Sequence, residues 1–505
     1  MNHISSKIYI TIFIGFFSME ESYSSQLTHK DTHSIQAVVL AAGKSTRFAM
    51  GSSKLAFPLC GQPMVLYPLS VLEALAIPTI VVTGYQQELI QQIITQRTKI
   101  TPLFVEQTIQ KGTGHAVACS KAFWQADHIL IINGDMPLID QALISRVLNE
   151  HLATKATVSF VVATCDDQLN GYGKVIRANN TIKIIEARDF KGTAQEGQFI
   201  NAGIYLISKD FLHAEIEKLS LHENSQEWYI TDIIAAASNM GLHIHTVETD
   251  FDTIRGINTV NELATAEKII RHRIIQKYMQ KGVYFEQPET TIIEQSVTIG
   301  AGTRIGAGVH IAQNTRIGTR CIIGCYSTIT NSILNDQVTI LPHCVITDSE
   351  IHDHVSVGPF AHVRNVHSLH EHACIGNFVE VSNSTIGAGT KAKHLSYIGD
   401  ANIAEKVNIG AGTITCNYDG FQKHVTTIEK NVKIGSNNSL VAPVTIGHDA
   451  ITGAGSVITS DVPPYALGIA RALQVNKEQY AQRLNESRSF IGAIKTDTPS
   501  SHNEK

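Results

Sequence analysis

The hydrophobic positions of this chain follow two different rules in two stretches. Between residues 36 and 163 they fall in short unbroken runs: Gln36-Ala-Val-Val-Leu-Ala-Ala-Gly43, Thr79–Val82, His128–Ile132 and Thr157–Ala163. Helix-like stretches such as Val65–Leu75 and Glu88–Thr95 separate them. Continuous apolar runs suit strands buried on both faces, and their alternation with helices predicts a mostly parallel, doubly wound α/β sheet. Further on the rule changes. Ile293, Ile299, Ile305, Ile311, Ile317, Ile323 and Ile329 stand six apart, and Gly300, Gly306, Gly318 and Gly324 each follow one of them. Neither the helix period nor strand alternation gives a spacing of six. A hexapeptide parallel β-helix does: each unit is one short strand and one corner, and the aliphatic residue points inward. Three units close a coil of about 18 residues, and coils stack at roughly 4.8 Å.

Beyond Ile329 the register reads as loosened. It recovers at Ile403 and Ile409, and again at Ile434, Leu440, Ile446 and Ile458. Loops are expected between these pieces, and projecting loops are where sites form. Joining the two stretches, Thr259-Val-Asn-Glu262 reads as a capping box. Leu263, Ala266, Ile269, Ile270, Ile274 and Met279 follow at helical spacing, and Gly282 is a natural stop. Lys477 to Ile494 reads as a second helix. The expected organisation is an extension over 1–33, an α/β domain over 34–258 and a helical linker over 259–283. A β-helix over 284–475 and a C-terminal helix with a polar tail over 476–505 complete it.

Composition narrows the class. A chain of 505 residues should hold at least two domains. With 43% apolar residues, 17% charged residues and a net charge of −5, nothing calls for nucleic acid or an anionic membrane as main partner. The eight cysteines are scattered, and the close pair Cys321 and Cys325 has no second pair at zinc-site spacing. They read as reduced thiols of a cytoplasmic protein. At the N-terminus, Lys7 precedes the apolar run Ile8 to Phe17, too short to span a bilayer. Ser18-Met19-Glu20-Glu21 is a poor cleavage site, and Met19 would serve as a start. A poorly ordered extension is expected, with no stable membrane insertion.

Three clusters carry candidate chemistry. Leu40-Ala-Ala-Gly-Lys-Ser-Thr-Arg47, followed by Lys54, joins a turn glycine to two cations suited to phosphates. A Walker A loop would need glycine at position 38, which is Val38, so that motif is excluded. On spacing alone a structural turn fits as well as a phosphate loop. Ile129-Leu-Ile-Ile-Asn-Gly-Asp135 delivers one carboxylate at a strand end, suited to Mg²⁺ on substrate phosphates or to capping the turn. The third cluster is His394-Leu-Ser-Tyr397, Asn408, Thr415-Cys-Asn-Tyr-Asp-Gly420 and Lys423. A histidine there could be a general base, and asparagine or tyrosine could meet an oxyanion or orient an amine.

Taken in order, the motifs become specific. Leu40–Arg47 with Lys54, Gln107 with Gly112-Thr-Gly-His115, Asn133-Gly-Asp135, Gly171-Tyr-Gly173, Glu186, Asn201-Ala-Gly203, Tyr229-Ile-Thr-Asp232 and Gly256-Ile-Asn258 resemble one half of a known family. Gly358–Arg364, Gly376–Glu380, Lys393–Asp400 and Asn408–Gly420 resemble the other half. The family is the bifunctional UDP-N-acetylglucosamine pyrophosphorylase / glucosamine-1-phosphate acetyltransferase, and the resemblance covers residues 35 to 475. It implies a nucleotidyltransferase (Rossmann-like) domain, a connector helix and a left-handed parallel β-helix of hexapeptide repeats. It implies acetyl transfer from acetyl-CoA to glucosamine 1-phosphate, then uridylyl transfer from UTP to N-acetylglucosamine 1-phosphate. The product, UDP-N-acetylglucosamine, would feed bacterial wall and lipopolysaccharide synthesis.

By the same resemblance Asp135 and Asn258 hold Mg²⁺, and Arg47 and Lys54 meet the triphosphate. Leu40, Ala41 and Gly43 belong to the nucleotide loop. Gln107, Gly112 and Thr113 hold the uracil, and Gly173, Glu186 and Asn201 the amino sugar. In the second half His394 is the base, with Glu380 orienting or tuning it. Arg364, Tyr397, Asn408 and Lys423 bind the sugar phosphate. Asn417 and Tyr418 border the reacting groups, and Ser436, Ala454 and Arg471 line the coenzyme A site. The β-helix would assemble as a homotrimer. The chain departs from the family pattern at Ser45, Phe48 and Ser53. It departs again at Ser382, where the family carries a lysine and weaker sugar-phosphate binding is expected. Two other readings stay open on the residues alone: a single-activity nucleotidyltransferase whose ladder serves only assembly, and a scaffold with a dead catalytic domain.

Overall fold

The computed structural model describes residues 34–44, 51, 53–164, 171–178, 181–192, 198–222 and 225–496. The extension over 1–33, the loop bearing Ser45, Arg47 and Phe48, and the tail beyond Thr496 lie outside them. The chain forms two compact units, the first closing at Thr315 and the second opening at Arg316.

The first unit is built on a sheet. Its strands are β1 (Ile35–Ala41), β2 (Thr79–Thr83), β3 (Leu103–Glu106), β4 (His128–Asn133), β5 (Val158–Thr164), β6 (Phe199–Ser208) and β7 (Ile244–Thr249). Their order across the sheet is β7-β5-β6-β4-β1-β2-β3. β6 alone on this path runs antiparallel, against both β4 and β5. The remaining pairs are parallel, as the continuous apolar runs predict. β1 and β4 are buried nearly throughout because helices cover both faces. The helices α1 (Leu66–Ala74) and α2 (Gln87–Arg97) match the predicted stretches. A bulge between Asn201 and Tyr205 breaks the β6 ladder, with Gly203 at φ +75°. Bulges re-aim side chains, and this one lies at the site described below.

The linker is α3 (Val260–Gln280), opened by the predicted capping box of Thr259 and Glu262. Leu263, Ala266, Ile270 and Ile274 are buried as expected. Met279 is not: at 42% exposure it lies off the face, which Tyr278 continues at the i+4 position from Ile274. Gly282 at φ +82° ends the turn. The first coil packs against this joint. Gln295 N donates to Cys60 O at 2.9 Å, and the Tyr278 hydroxyl donates to Val297 O.

In the second unit the strands pair in parallel, coil on coil. Arg316 pairs with Ile333, and Ile333 with Glu350, so these coils take 17 residues, while the next, where Ile351 pairs with Leu369, takes 18. Ile317, Ile323 and Ile329 are at most 4% exposed, as the six-residue rule requires. The expected loosening does not occur. Leu334, Ile340, Ile346, Ile351, Val357, Val363, Leu369, Ile375, Val381, Ile386, Ala392, Ile398, Ile403 and Ile409 continue the inward column, all at most 5% exposed. The steps Ile329 to Leu334 and Ile346 to Ile351 are five residues, because one corner of those coils is one residue shorter. Such a slip defeats a strict count of six while leaving the coil intact.

Arg364 and His394 therefore sit on regular strands, His362–Arg364 and Lys391–Gly399, not on loops. One segment does leave the coil. Thr385 pairs with Asn402 at the 17-residue spacing, but Ala401 pairs with Thr426, which inserts eight extra residues. They fall within 416–425. Corners take left-handed backbone, for instance Tyr326, His343, Phe360 and Phe378 at φ between +56° and +62°. Each non-glycine corner costs about 1 kcal/mol. Stacking of these four rings, with centroids 4.9 to 5.4 Å apart, helps to offset it. A final helix, α4 (Tyr480–Thr496), lies near the predicted span.

Candidate active sites

The carboxyl ends of β1, β2, β3 and β4 converge, as parallel sheets require of their ligand crevice. There a cavity of about 770 Å³ is lined by Leu40, Gly43, Lys54, Gln107, Gly112, Thr113, Asp135 and Asn258, among others. A deeper lobe of about 300 Å³ shares Thr113, Asp135 and Asn258 and adds Gly173, Glu186 and Asn201. Nearly all the residues named for this half from sequence thus meet in one cleft. Ala41 is the exception, at 2% exposure within β1. Arg47 lies outside the described residues.

Lys54 is the centre of the cleft's mouth. Its ammonium donates to Asp135 Oδ2 at 2.6 Å, Ile257 O at 2.7 Å and Asn258 Oδ1 at 2.9 Å. Ile257 N returns a bond to Asp135 O at 3.0 Å, which ties two distant segments together. Three oxygens, one of them charged, already hold a cation there. That donor set suits Mg²⁺, which takes few carboxylates and keeps water and phosphate oxygens. Ser53, before the lysine, donates its N–H to Gln86 Oε1 at 2.7 Å.

The cavity wall beside Gln107 is set by glycine. A side chain on Gly112 (φ +93°) would come within 2.5 Å of Trp228 O. Gln107 is 3% exposed, and its Nε2 donates to Gly112 O at 3.1 Å. Thr113 Oγ1 accepts from Ile230 N at 3.1 Å. In the deeper lobe burial pushes the Glu186 carboxyl up, against a hydrogen bond from Thr231 and the nearby Arg188 charge. Asn201 is committed on both sides: Nδ2 donates to the Tyr205 hydroxyl at 2.6 Å, and Oδ1 accepts from Gly203 N at 3.2 Å. Sequence reasoning passed over Tyr172, whose hydroxyl accepts from Gly256 N at 2.6 Å. Its signal was its place inside Gly171-Tyr-Gly173. Glu227, Tyr229 and Arg188 also line this lobe.

The second candidate site lies on the β-helix, in three groups. In the first, His394 Nδ1 lies 2.9 Å from Asn377 Oδ1, one coil away. In the tautomer whose Nδ1–H donates to that amide oxygen, Nε2 is the nitrogen left to accept a proton. Glu380, expected to orient His394, pairs instead with Arg364 at 2.8 Å, because Arg364 reaches it from the adjacent strand. In the second group Asp400 gathers Asn417, Lys423 and Asn383, and Tyr397 OH lies 3.5 Å from Asn417 Nδ2. Asn417 and Lys423 belong to the excursion, which Asp419 stiffens by accepting from Phe421 N and Gln422 N at 2.8 Å. Tyr418 is 62% exposed there. In the third group Arg471 Nη1 donates to Ala454 O at 2.7 Å, and Ser436 lies beneath Gly410 on the stacked corner. Asn408 pairs with Lys391 in the ladder. Among the described residues no side-chain hydrogen bond joins the three groups to one another, while the backbone ties the first to the second, Asn383 N donating to Arg364 O at 3.2 Å.

Comparison with known proteins agrees with both halves. Residues 37–229 match the MobA-like NTP transferase domain, and residues 296–331 and 426–460 match the bacterial transferase hexapeptide (six repeats). The bifunctional protein GlmU of Geotalea uraniireducens (strain Rf4) is 41% identical over 88% of this chain and 98% of its own length. That of Thermotoga maritima is 42% identical at the same coverage of both chains. That of Geobacillus sp. (strain WCH70) is 40% identical over 89% of this chain and 98% of its own. With two fifths of its residues shared along nearly the full length of such relatives, the chain belongs to the family of the bifunctional protein GlmU, the family its motifs resemble.

Proposed function

We infer that the sheet cleft and the β-helix groups divide the family's two reactions between them. The chain acetylates glucosamine 1-phosphate with acetyl-CoA, then transfers UMP from UTP to the product, giving UDP-N-acetylglucosamine and pyrophosphate. The nucleophile of the second step is a phosphate, already anionic, so no protein base is needed. Asp135 and Asn258 would hold Mg²⁺, which neutralises phosphate charge when bound. Lys54 supplies protein charge at the same mouth, joined by Arg47. Gln107, Gly112 and Thr113 seat the base, and Gly173, Glu186 and Asn201 the sugar.

In the acetyl transfer His394 Nε2 takes a proton from the amine as it attacks the thioester carbonyl, and the coenzyme A thiolate leaves. Arg364, Tyr397, Asn408 and Lys423 bind the sugar phosphate. Tyr418 borders the reacting groups, and Ser436, Ala454 and Arg471 line the coenzyme A site. The chain works as a homotrimer in the cytoplasm. The exposed arm of the monomer supports assembly: Leu473 is 93% exposed and Val475 78%.

The observation that carries the two-site reading is the buried Asp400, which holds Asn417 and Lys423 on an excursion that a purely structural ladder does not need. The test is an assay of both half-reactions on wild type, Asp135→Ala and His394→Ala. Each variant should lose one activity and keep the other. Normal thiol release by His394→Ala would overturn the assignment. Sedimentation should give a trimer.

A further inference from the structure

Asp400 is named in none of the roles above, yet the acetyl site turns on it. It is a corner residue at φ +48° and 7% exposed. Its Oδ1 accepts from Asn383 Nδ2, and its Oδ2 from Asn417 Nδ2. The Lys423 ammonium lies 3.5 Å from the same Oδ2. The backbone repeats the tie. Asp400 O accepts from Thr426 N at 3.1 Å, where the excursion ends, and Asn417 O accepts from His424 N at 2.8 Å across its neck. Burial pushes the Asp400 carboxyl up, but the two amides and the Lys423 charge outweigh it and hold it below its ordinary value. The group is therefore a carboxylate at neutral pH.

This fixes the orientation of one amide. A carboxylate only accepts hydrogen bonds, so the Asn417 atom facing it must be the nitrogen. The second contact of that nitrogen, the Tyr397 hydroxyl at 3.5 Å, lies on the same side. Asn417 Oδ1 then points the other way. It accepts no hydrogen bond among the described residues and is not sealed in the interior. An oxygen there can accept an N–H. It cannot stabilise an oxyanion, which needs donors.

We propose that Asp400 is a positioning residue of the acetyl-transfer site, turning Asn417 so that its amide oxygen accepts from the amine that attacks the thioester. The proposal rests on the two-site reading above and adds to it the direction in which Asn417 works. Asp400→Asn is the first variant. It keeps the shape, and asparagine tolerates the left-handed corner. Its neutral amide no longer forces the Asn417 nitrogen inward. Thiol release should lose about 10- to 100-fold in kcat, in line with one misdirected charge-assisted hydrogen bond. Uridylyl transfer should stay at wild type, and the variant should remain folded at the assay temperature.

The second variant is the exchange Asp400→Asn with Asn417→Asp. The amide now at the corner donates and the carboxylate now on the excursion accepts, so an oxygen again faces away from residue 400, and most of the lost kcat should return. A donor role for Asn417 predicts the reverse, since the exchange leaves no N–H at position 417 to offer the amine. An exchange variant no better than Asp400→Asn, or a fully active Asp400→Asn, would overturn the proposal. So would a loss confined to the KM for acetyl-CoA, because the oxygen would then serve the coenzyme. Should Asp400→Asn fail to fold, the exchange, which keeps the same hydrogen-bonding groups, carries the test against wild type. A wild type that releases no thiol sinks the two-site reading, and this proposal with it. An active wild type beside an unaffected Asp400→Asn sinks this proposal alone.

Discussion

Lys54 and Asp135 meet at 2.6 Å, and the ammonium is closed in by Ile257 O and Asn258 Oδ1. An ammonium has three donors, and all three are used here, two of them on the Asp135 and Asn258 oxygens proposed above to hold Mg²⁺. A divalent ion and the ammonium cannot share that cage, since like charges a few ångströms apart repel strongly at low dielectric. Lys54→Met should therefore bind Mn²⁺ in the absence of nucleotide at least about tenfold more tightly than wild type, a shift of about 1.4 kcal/mol. Asp135→Asn should bind it more weakly. Titration of free Mn²⁺ by electron paramagnetic resonance reads both. Equal affinity in wild type and Lys54→Met would show that the lysine leaves the cage freely.

Ser53 and Gln86 lead to a second expectation. Ser53, one of the departures from the family pattern, already has a proline-like backbone at φ −57°. What a proline would remove is the N–H bond to Gln86 Oε1. The lost bond costs about 1 kcal/mol, and the stiffer unfolded chain returns roughly 0.4–1 kcal/mol. Ser53→Pro should thus change stability by less than about 1 kcal/mol. Gln86→Ala should destabilise the serine chain more than the proline chain. A double-mutant cycle in urea with no coupling would remove Gln86 from the account.

Acid should weaken the first unit through His151. It is fully buried, with Nδ1 2.7 Å from Ser159 Oγ and Nε2 3.0 Å from His128 Nδ1. Burial comes first, then the nearby His128, His245 and His243, and together they push its pKa down to about 3. His245 itself pairs with Glu150 at 2.7 Å. The depressed value fixes the sign. Above the unfolded value of about 6.5 both states are neutral and stability is full. As pH falls from there toward 3 the unfolded state takes up the proton first, and stability drops by up to a few kcal/mol. Urea midpoints at pH 7.5, 6, 5 and 4 should fall in wild type and fall less in His151→Gln. Parallel slopes would sink the assignment.

The sheet was legible because Ala37–Ala42 and Ile129–Ile132 are apolar on every residue, which no amphipathic helix matches. The β-helix was legible only while isoleucine filled each inward position. After Ile329 isoleucine shares the column with leucine, valine and alanine, five-residue steps shift the register, and a count of six reads that as loss of order. The same numbers hid Asn377. Once the coil is known to take 17 residues, Asn377 falls opposite His394 by subtraction, whereas Glu380 falls opposite Tyr397. The pairing of Asp400 with Asn417, itself named from sequence, was hidden for the same reason. Their contact is across coils and shows no local pattern.

The last expectation concerns Ser382, where the family carries lysine. Ser382 is 3% exposed and lies between Arg364 and Gly399 on adjacent strands. Each of the two cations proposed to bind the sugar phosphate already faces a carboxylate: Arg364 faces Glu380 at 2.8 Å, and Lys423 faces Asp400 at 3.5 Å. The four charges cancel, so an arriving phosphate finds fixed donors but no surplus charge. Ser382→Lys would add one cation a single strand spacing, about 4.8 Å, from Arg364. The KM for glucosamine 1-phosphate should fall about 3- to 10-fold with kcat little changed, since ground state and transition state gain alike. The gain should shrink in 0.5 M salt, where the screening length is only a few ångströms. Stability should drop somewhat, because a lysine stem replaces a small buried side chain. A KM that does not move, measured at low salt on a folded variant, would mean that the phosphate draws its charge from elsewhere.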